Sequence, residues 1–119
     1  MPSAPTRSVC PVACTLDLVG DRWTLLVIRD LFAGRSRFGE FLRSPEGIAT
    51  NILTARLEHL ISSGLVRATP CRARTGASVY TLTARGRSLR PVLECIAAWG
   101  LEHIPGTEAR MELPNRGTE

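Results

Sequence analysis

The sequence predicts a mainly α-helical domain carrying one small antiparallel β-hairpin, and three observations support that class. Apolar residues recur at helical spacing through Val12–Val19, Trp23–Phe32, Thr50–Ser63 and Thr83–Ile104, the pattern of helices that bury one face. Only two stretches, Leu65–Thr69 and Val79–Leu82, have the composition and alternation of strands. Gly or Pro stands at most of the junctions between these segments. A length of 119 residues suits one domain. The expected division is a flexible arm over 1–9, the domain over 10–104 and a polar tail over 105–119.

Pro11 suits the first position of a helix, where its missing N–H has no intrahelical partner. Val12, Leu16 and Val19 give that helix its apolar face, and Gly20 is expected to close it in a left-handed conformation. Asp21 is a capping residue for the next helix. Trp23, Leu25, Leu26, Val27, Ile28, Leu31 and Phe32 make that helix apolar nearly all round, the mark of a central buried element. Gly34 stops it. Ser36-Arg37-Phe38 reads as a short strand or extended turn, Gly39–Arg43 as a short helix with Phe38, Phe41 and Leu42 inward, and Ser44-Pro45-Glu46-Gly47 as a turn.

In the helix Thr50–Ser63, Leu53, Leu57, Leu60 and Ile61 cluster on one side. Asn51, Ala55, Glu58 and Ser62 fall opposite, with Thr54 and His59 on the flanks. Gly64 ends it, and the two strands follow, joined by a tip over Pro70–Ser78 that carries Arg72 and Arg74. Thr83 is expected to cap one long final helix, striped by Leu89, Val92, Leu93, Ile96 and Gly100, kinked at Pro91 and ended by Pro105-Gly106.

All 15 basic residues are Arg, and 11 acids leave a formal charge of +4. The distribution is more informative than the total. Residues 1–34 are neutral, 35–90 carry +7 and 91–119 carry −3. A basic middle segment fits one face made for an anionic polymer, and Arg offers phosphates and base edges a planar five-donor fork.

Several classes are excluded on the same footing. The strictly apolar runs, Leu25–Ile28 among them, are far too short for a membrane span. The first nine residues hold no apolar signal region, so a cytoplasmic protein with four reduced thiols is expected. No paired carboxylates, Ser/His/Asp arrangement or phosphate-cradling Gly loop stands out, so neither an enzyme nor a bound cofactor is expected. Cys10-x-x-x-Cys14 offers two metal ligands, but neither His59 nor His103 lies at a recognisable ligand spacing, so no metal is expected.

A short helix, a Gly-containing turn and a second helix with a polar outward face make a helix-turn-helix, and the hairpin that follows makes it winged. Such a helix fits the major groove of double-stranded DNA, and Arg side chains on the wing grip phosphates or enter the neighbouring minor groove. The base-contact candidates are Thr50, Asn51, Thr54 and Ala55. Asn pairs bidentately with adenine, while Thr and Ala methyls touch thymine methyls. Arg37, Arg67, Arg72 and Arg74 are candidates for the DNA backbone. Arg56 is expected either to hold a phosphate or to brace the motif by pairing with Glu40, Glu46 or another acid.

The residues also resemble a known family. Cys10-Pro11-Val12, Thr15-Leu16-Asp17-Leu18-Val19-Gly20 and Arg22-Trp23-Thr24-Leu25-Leu26 look like the opening of HxlR-type transcriptional regulators. Arg37-Phe38-Gly39-Glu40-Phe41, Gly47-Ile48, Leu53-Thr54-Ala55-Arg56-Leu57, Gly64-Leu65-Val66, Tyr80-Thr81-Leu82-Thr83, Gly86 and Trp99-Gly100 continue the match in order. The resemblance covers about Cys10 to Ile104. It implies a dimeric bacterial repressor or activator of the MarR-like superfamily, with the first and last helices building the homodimer. Some members sense oxidants or electrophiles through an N-terminal Cys. Two departures bear on the site. Ala49 stands where the family often has Ser, so capping falls to Thr50. Thr75-Gly76-Ala77-Ser78 replaces a wing segment that often contains Pro, which suggests a more flexible wing.

Cys10 is the redox-sensor candidate, because the partial positive charge at a helix N-terminus raises a thiol's thiolate fraction. Cys14, Cys95 and Cys71 are the candidate disulfide partners, and only geometry chooses among them. The competing reading is an inert Cys10 packed near a dimer interface. Trp23 and Trp99 read either as ligand-pocket walls or as core and dimer aromatics, and His59 as a polar group on the DNA side. The function expected is therefore a homodimeric operator-binding regulator, a repressor by preference, controlled by thiol chemistry at Cys10. Its alternatives are a regulator answering a small-molecule effector through inert cysteines, and a winged helix that binds protein instead of DNA.

Overall fold

In the computed structural model, which describes residues 7–108, the chain runs α1 (Pro11–Val19), α2 (Thr24–Phe32), α3 (Phe38–Leu42), α4 (Thr50–Ser62), β1 (Val66–Pro70), β2 (Ser78–Leu82), α5 (Ala84–Arg87) and α6 (Arg90–His103). Most of the expected arm and tail lies outside the described residues. The fold is mainly helical with one two-stranded antiparallel hairpin, in which Val66 pairs with Leu82, Ala68 with Tyr80 and Pro70 with Ser78. Ser36 does not form a strand. Its backbone contributes one bond, from the Tyr80 N–H to the Ser36 carbonyl at 2.8 Å.

α2 is the central helix. Val27, Ile28, Leu31 and Phe32 are buried from it, Phe41 from α3, and Leu53, Leu57 and Leu60 from α4; Leu65 and Val66 close the core beneath the hairpin. Each such side chain contributes about 1.5–3 kcal/mol on leaving water. Asp21 starts α2 as its residue type suggests. One carboxylate oxygen accepts the amides of Trp23 at 3.0 Å and Thr24 at 3.1 Å, and the other accepts the buried Thr24 hydroxyl. Burial acts to raise the Asp21 carboxyl, but the bonds from Thr24 and Trp23 and the charge of Arg56 together hold it below the usual carboxylate value.

Several local expectations are corrected. Gly20 is right-handed, with φ −86°. Its need for glycine is steric, since a Cβ there would stand 2.3 Å from the Leu16 carbonyl oxygen. Ile61 is 40% exposed and leaves the cluster expected for it. The single long final helix is two helices. Thr83 caps α5, accepting the Gly86 N–H at 3.1 Å and donating to the Gly64 carbonyl at 2.6 Å. The chain then restarts as α6 with Pro91 in its first turn. A proline ring in an unbroken helix would clash with the carbonyl four residues before it, so the chain breaks at Ser88–Leu89 instead of bending.

The break also divides the predicted apolar stripe. Leu89 and Leu93 pack on the core, whereas Val92, Ile96 and Trp99 of α6 are exposed, together with Val12 and Leu16 of α1. Trp99 is thus no core residue in this chain. It is 61% exposed, with its ring 4.7 Å from that of His103.

Candidate nucleic-acid interface

The turn between α3 and α4 is tied to α2 by a polar network that no spacing in the sequence announces. Asp30 on α2 is buried, 3% exposed. Its Oδ1 accepts Arg29 Nε at 3.2 Å and Nη2 at 2.9 Å, and its Oδ2 accepts the Ser44 hydroxyl. Arg35 donates to the same Ser44 Oγ and lies 3.8 Å from Asp30 Oδ2. Arg29 also forms a two-pronged pair with Glu46, at 2.9 and 2.8 Å. These bonds from Arg29 hold the Glu46 carboxyl below its ordinary value and keep the guanidinium more firmly protonated than usual. Both ends of the Ser44-Pro45-Glu46-Gly47 turn are thereby fixed to the central helix. The start of α3 is fixed locally: Glu40 Oε1 accepts the amides of Ser36 at 2.8 Å and Arg37 at 2.9 Å.

α4 then emerges with an exposed row of Thr50, Asn51, Thr54, Ala55 and Glu58 opposite the buried Leu53, Leu57 and Leu60. Thr50 does not cap it. Ala49 precedes the helix with no side-chain acceptor, and the Thr50 carbonyl instead accepts the Thr54 hydroxyl at 3.0 Å. Arg56 is half-buried, and its guanidinium stands 3.4 Å from Asp21, an acid other than Glu40 or Glu46. His59 does not face outward with the polar row. Its Nε2–H donates to the Leu18 carbonyl at the end of α1, 2.6 Å away. Arg56 and His59, three residues apart, therefore hold α4 against the α1–α2 junction.

The hairpin stands beside this helix with Arg67 exposed on β1 and Arg72 and Arg74 exposed at its tip. The tip is closed by the Cys71 N–H bond to the Ala77 carbonyl at 2.9 Å and the Ala77 N–H bond to the Arg74 carbonyl at 3.3 Å. Among the described residues, Arg37, Arg67, Arg72 and Arg74 form no ion pair with a carboxylate. Arg37 and Arg74 line one cleft of about 480 Å³ between α3 and the hairpin, together with Arg43. Glu40 is the acid in that cleft, and its carboxylate already accepts two amides. Arg43 was not among the sequence candidates; its place in the inter-helix turn was the signal available.

The four cysteines are free and separated in kind. Cys10 is exposed at the N-cap of α1, and the amides of Ala13 and Val12 hold its thiol below the ordinary value. Cys14, half-buried, donates to the Ser8 carbonyl at 3.3 Å. Cys95 is exposed on α6, and Cys71 is buried at the hairpin tip.

The HxlR-like helix-turn-helix model matches residues 18–108. The chain belongs to the HxlR-like helix-turn-helix family. An uncharacterized HTH-type transcriptional regulator of Synechocystis is 37% identical over 92 residues, 77% of this chain and 68% of that one. A second, of Mycobacterium bovis, is 38% identical over 82% of this chain; the match spans 61% of that relative's length. Among solved structures, the redox regulator HypR in its reduced form superposes with a TM-score of 0.73 at 31% identity, covering 81% of this chain and 95% of that one. This HxlR-like chain is a winged-helix, DNA-binding transcriptional regulator, with α2 to α6 and the hairpin inside the matched region.

Proposed function

We propose that this HxlR-like regulator is a cytoplasmic homodimer that reads a pseudo-palindromic operator with α4 and represses from it. The observation that carries the reading is the division of α4 into a buried Leu53–Leu57–Leu60 face and an exposed Thr50, Asn51, Thr54 and Ala55 row, flanked by Arg side chains that pair with no carboxylate among the described residues. In this reading the exposed row meets base edges. Arg37, Arg67, Arg72 and Arg74 hold backbone phosphates, while Arg56 serves as a brace through Asp21. The exposed apolar residues of α1 and α6 supply the dimer contact. Two copies of α4 would then enter successive major grooves about one helical turn, roughly 34 Å, apart.

Fluorescence anisotropy with a duplex selected from random sequence tests the reading. Log affinity is expected to fall steeply with log salt, since each phosphate neutralised adds about 0.9 to the slope. Asn51→Ala is expected to weaken the selected duplex by about 1–3 kcal/mol while leaving random duplex unchanged. A flat salt dependence counts against the Arg face, and equal losses on both duplexes refute base reading by Asn51.

Control by thiol chemistry is favoured by one further observation: Cys10 is exposed at a helix N-cap where two amides stabilise its thiolate. The likeness to HypR, a redox regulator, supports the same reading. Diamide is expected to change operator affinity in the parent and to leave Cys10→Ser unchanged.

A further inference from the structure

α1 is attached to the body of the domain at one end. Among its residues Val19 alone is buried, and Leu18 packs on the core beside it. Further up the helix Val12 and Leu16 are exposed. The direction in which α1 leaves the body is therefore set by a few contacts near Leu18. Two of them end on α4. The half-buried His59 donates its Nε2–H to the Leu18 carbonyl at 2.6 Å, and the Arg56 guanidinium stands 3.4 Å from Asp21, just past the end of α1. The two links differ in what they hold. Asp21 also accepts the amides of Trp23 and Thr24, so Arg56 acts on the start of α2. His59 bonds to α1 itself. That bond joins the element with the exposed apolar face to the element with the exposed polar row, across 41 residues of chain.

We propose that His59 is a positioning residue that sets the angle between α1 and α4, and through it the half-site spacing the protein accepts on DNA. The inference rests on the homodimer reading given above, in which the exposed face of α1 forms part of the contact between subunits. In such a dimer each α4 is carried at a fixed offset from the shared α1 surface, and the two-fold axis repeats any change in that offset in both subunits. The nine residues of α1 span about 12 Å at 1.5 Å per residue. A tilt of about 15°, within the ordinary scatter of helix packing angles, moves the far end of α1 by about 3 Å. Successive base pairs are separated by about 3.4 Å. A tilt of that size is thus enough to change which spacing fits, while the residues of α4 that meet the bases are untouched.

Fluorescence anisotropy on a spacing series tests this. The series holds the selected duplex, the same duplex with its half-sites one base pair closer or one base pair further apart, and a duplex with a single half-site. The parent is expected to prefer the selected spacing by about tenfold over the other two. His59→Phe keeps a ring of similar size without the N–H, and His59→Ser is too short to reach the Leu18 carbonyl. Both should flatten the preference to about threefold or less, or move it to another spacing, and both should bind the single half-site like the parent. His59→Gln, whose amide N–H can replace the ring donor, should keep the parent's preference. The proposal is overturned if either His59→Phe or His59→Ser keeps that preference. Equal losses on every duplex, the single half-site included, overturn it too, since they assign His59 a structural role only. Loss of the preference in His59→Gln assigns the effect to ring packing and overturns the hydrogen-bonded link. A parent indifferent to spacing refutes the two-half-site reading and this inference with it, whereas a preference that survives in the variants refutes the inference alone.

Discussion

Replacing Asp30 by Ala removes the acceptor for Arg29 and Ser44 and the nearby charge facing Arg35. Breaking a buried ion pair from one side costs about 3–5 kcal/mol when the partner is left uncompensated. Here the cost is reduced on both sides. Arg29 keeps its two bonds to Glu46, and the Arg35 side chain is 28% exposed, so it regains water. About 2–3 kcal/mol is the expected loss, near 8–12 °C in melting temperature for a domain of this size. Thermal melts and urea titrations followed by circular dichroism measure it; an unchanged m-value assigns the loss to the folded state. Ser44→Ala alone should cost about 1 kcal/mol, and the Asp30/Ser44 double-mutant cycle should show about 1 kcal/mol of coupling. Below its melting point, Asp30→Ala is expected to bind the selected duplex more weakly, because nothing else on α2 holds Ser44. An Asp30→Ala protein within about 0.5 kcal/mol of the parent would refute the role given to this network.

Gly86→Ala should destabilise by at least 2 kcal/mol, about the middle of the range for overpacking, since its Cβ would lie 2.1 Å from the Leu65 carbonyl oxygen and 2.9 Å from Leu82 Cδ2; a melting temperature equal to the parent's contradicts that packing. Iodoacetamide at neutral pH should alkylate Cys10 well before Cys71, with a pH midpoint below the ordinary thiol value near 8.5; mass spectrometry showing Cys71 modified first in the folded protein reverses the assignment. Asp21 and Glu46 both have depressed carboxyl values, so their stabilisation is present above the unfolded values of roughly 3.9 and 4.3 and is lost as pH falls through the lower folded ones. Melting temperature should hold from neutral pH to about 5 and drop below about 4, with a smaller drop in Glu46→Gln; an identical acid profile removes Glu46 from the account.

The helix-turn-helix and its hairpin are legible in the chain because each signal is local. Pro11, Asp21, Gly34, Gly64 and Thr83 mark element ends by backbone chemistry, and Leu53, Leu57 and Leu60 fall on one face by period alone. The failures share a cause in long-range neighbours. Ser44 reads as a turn residue until Asp30 and Arg35 are seen around it. His59 reads as a groove-facing polar group until the Leu18 carbonyl, 41 residues earlier, takes its N–H. Gly20 ends α1 as its residue type suggests, but the reason is the close approach of the Leu16 carbonyl and not a left-handed turn.

The class of the domain, its elements from α1 to the hairpin, the basic middle segment and the outward row of α4 follow from periodicity, turn chemistry and charge along the chain. Which Arg are committed and which are left for a partner depends on contacts between distant parts of the chain. Arg29, Arg35, Arg56 and Arg90 bond to acids or to Ser44, while Arg37, Arg67, Arg72 and Arg74 do not pair with a carboxylate among the described residues. In sequence all eight are the same residue in the same basic stretch or beside it. A guanidinium's role is set by the acceptors within about 3–4 Å of its fork, and folding, not chain order, brings those acceptors there.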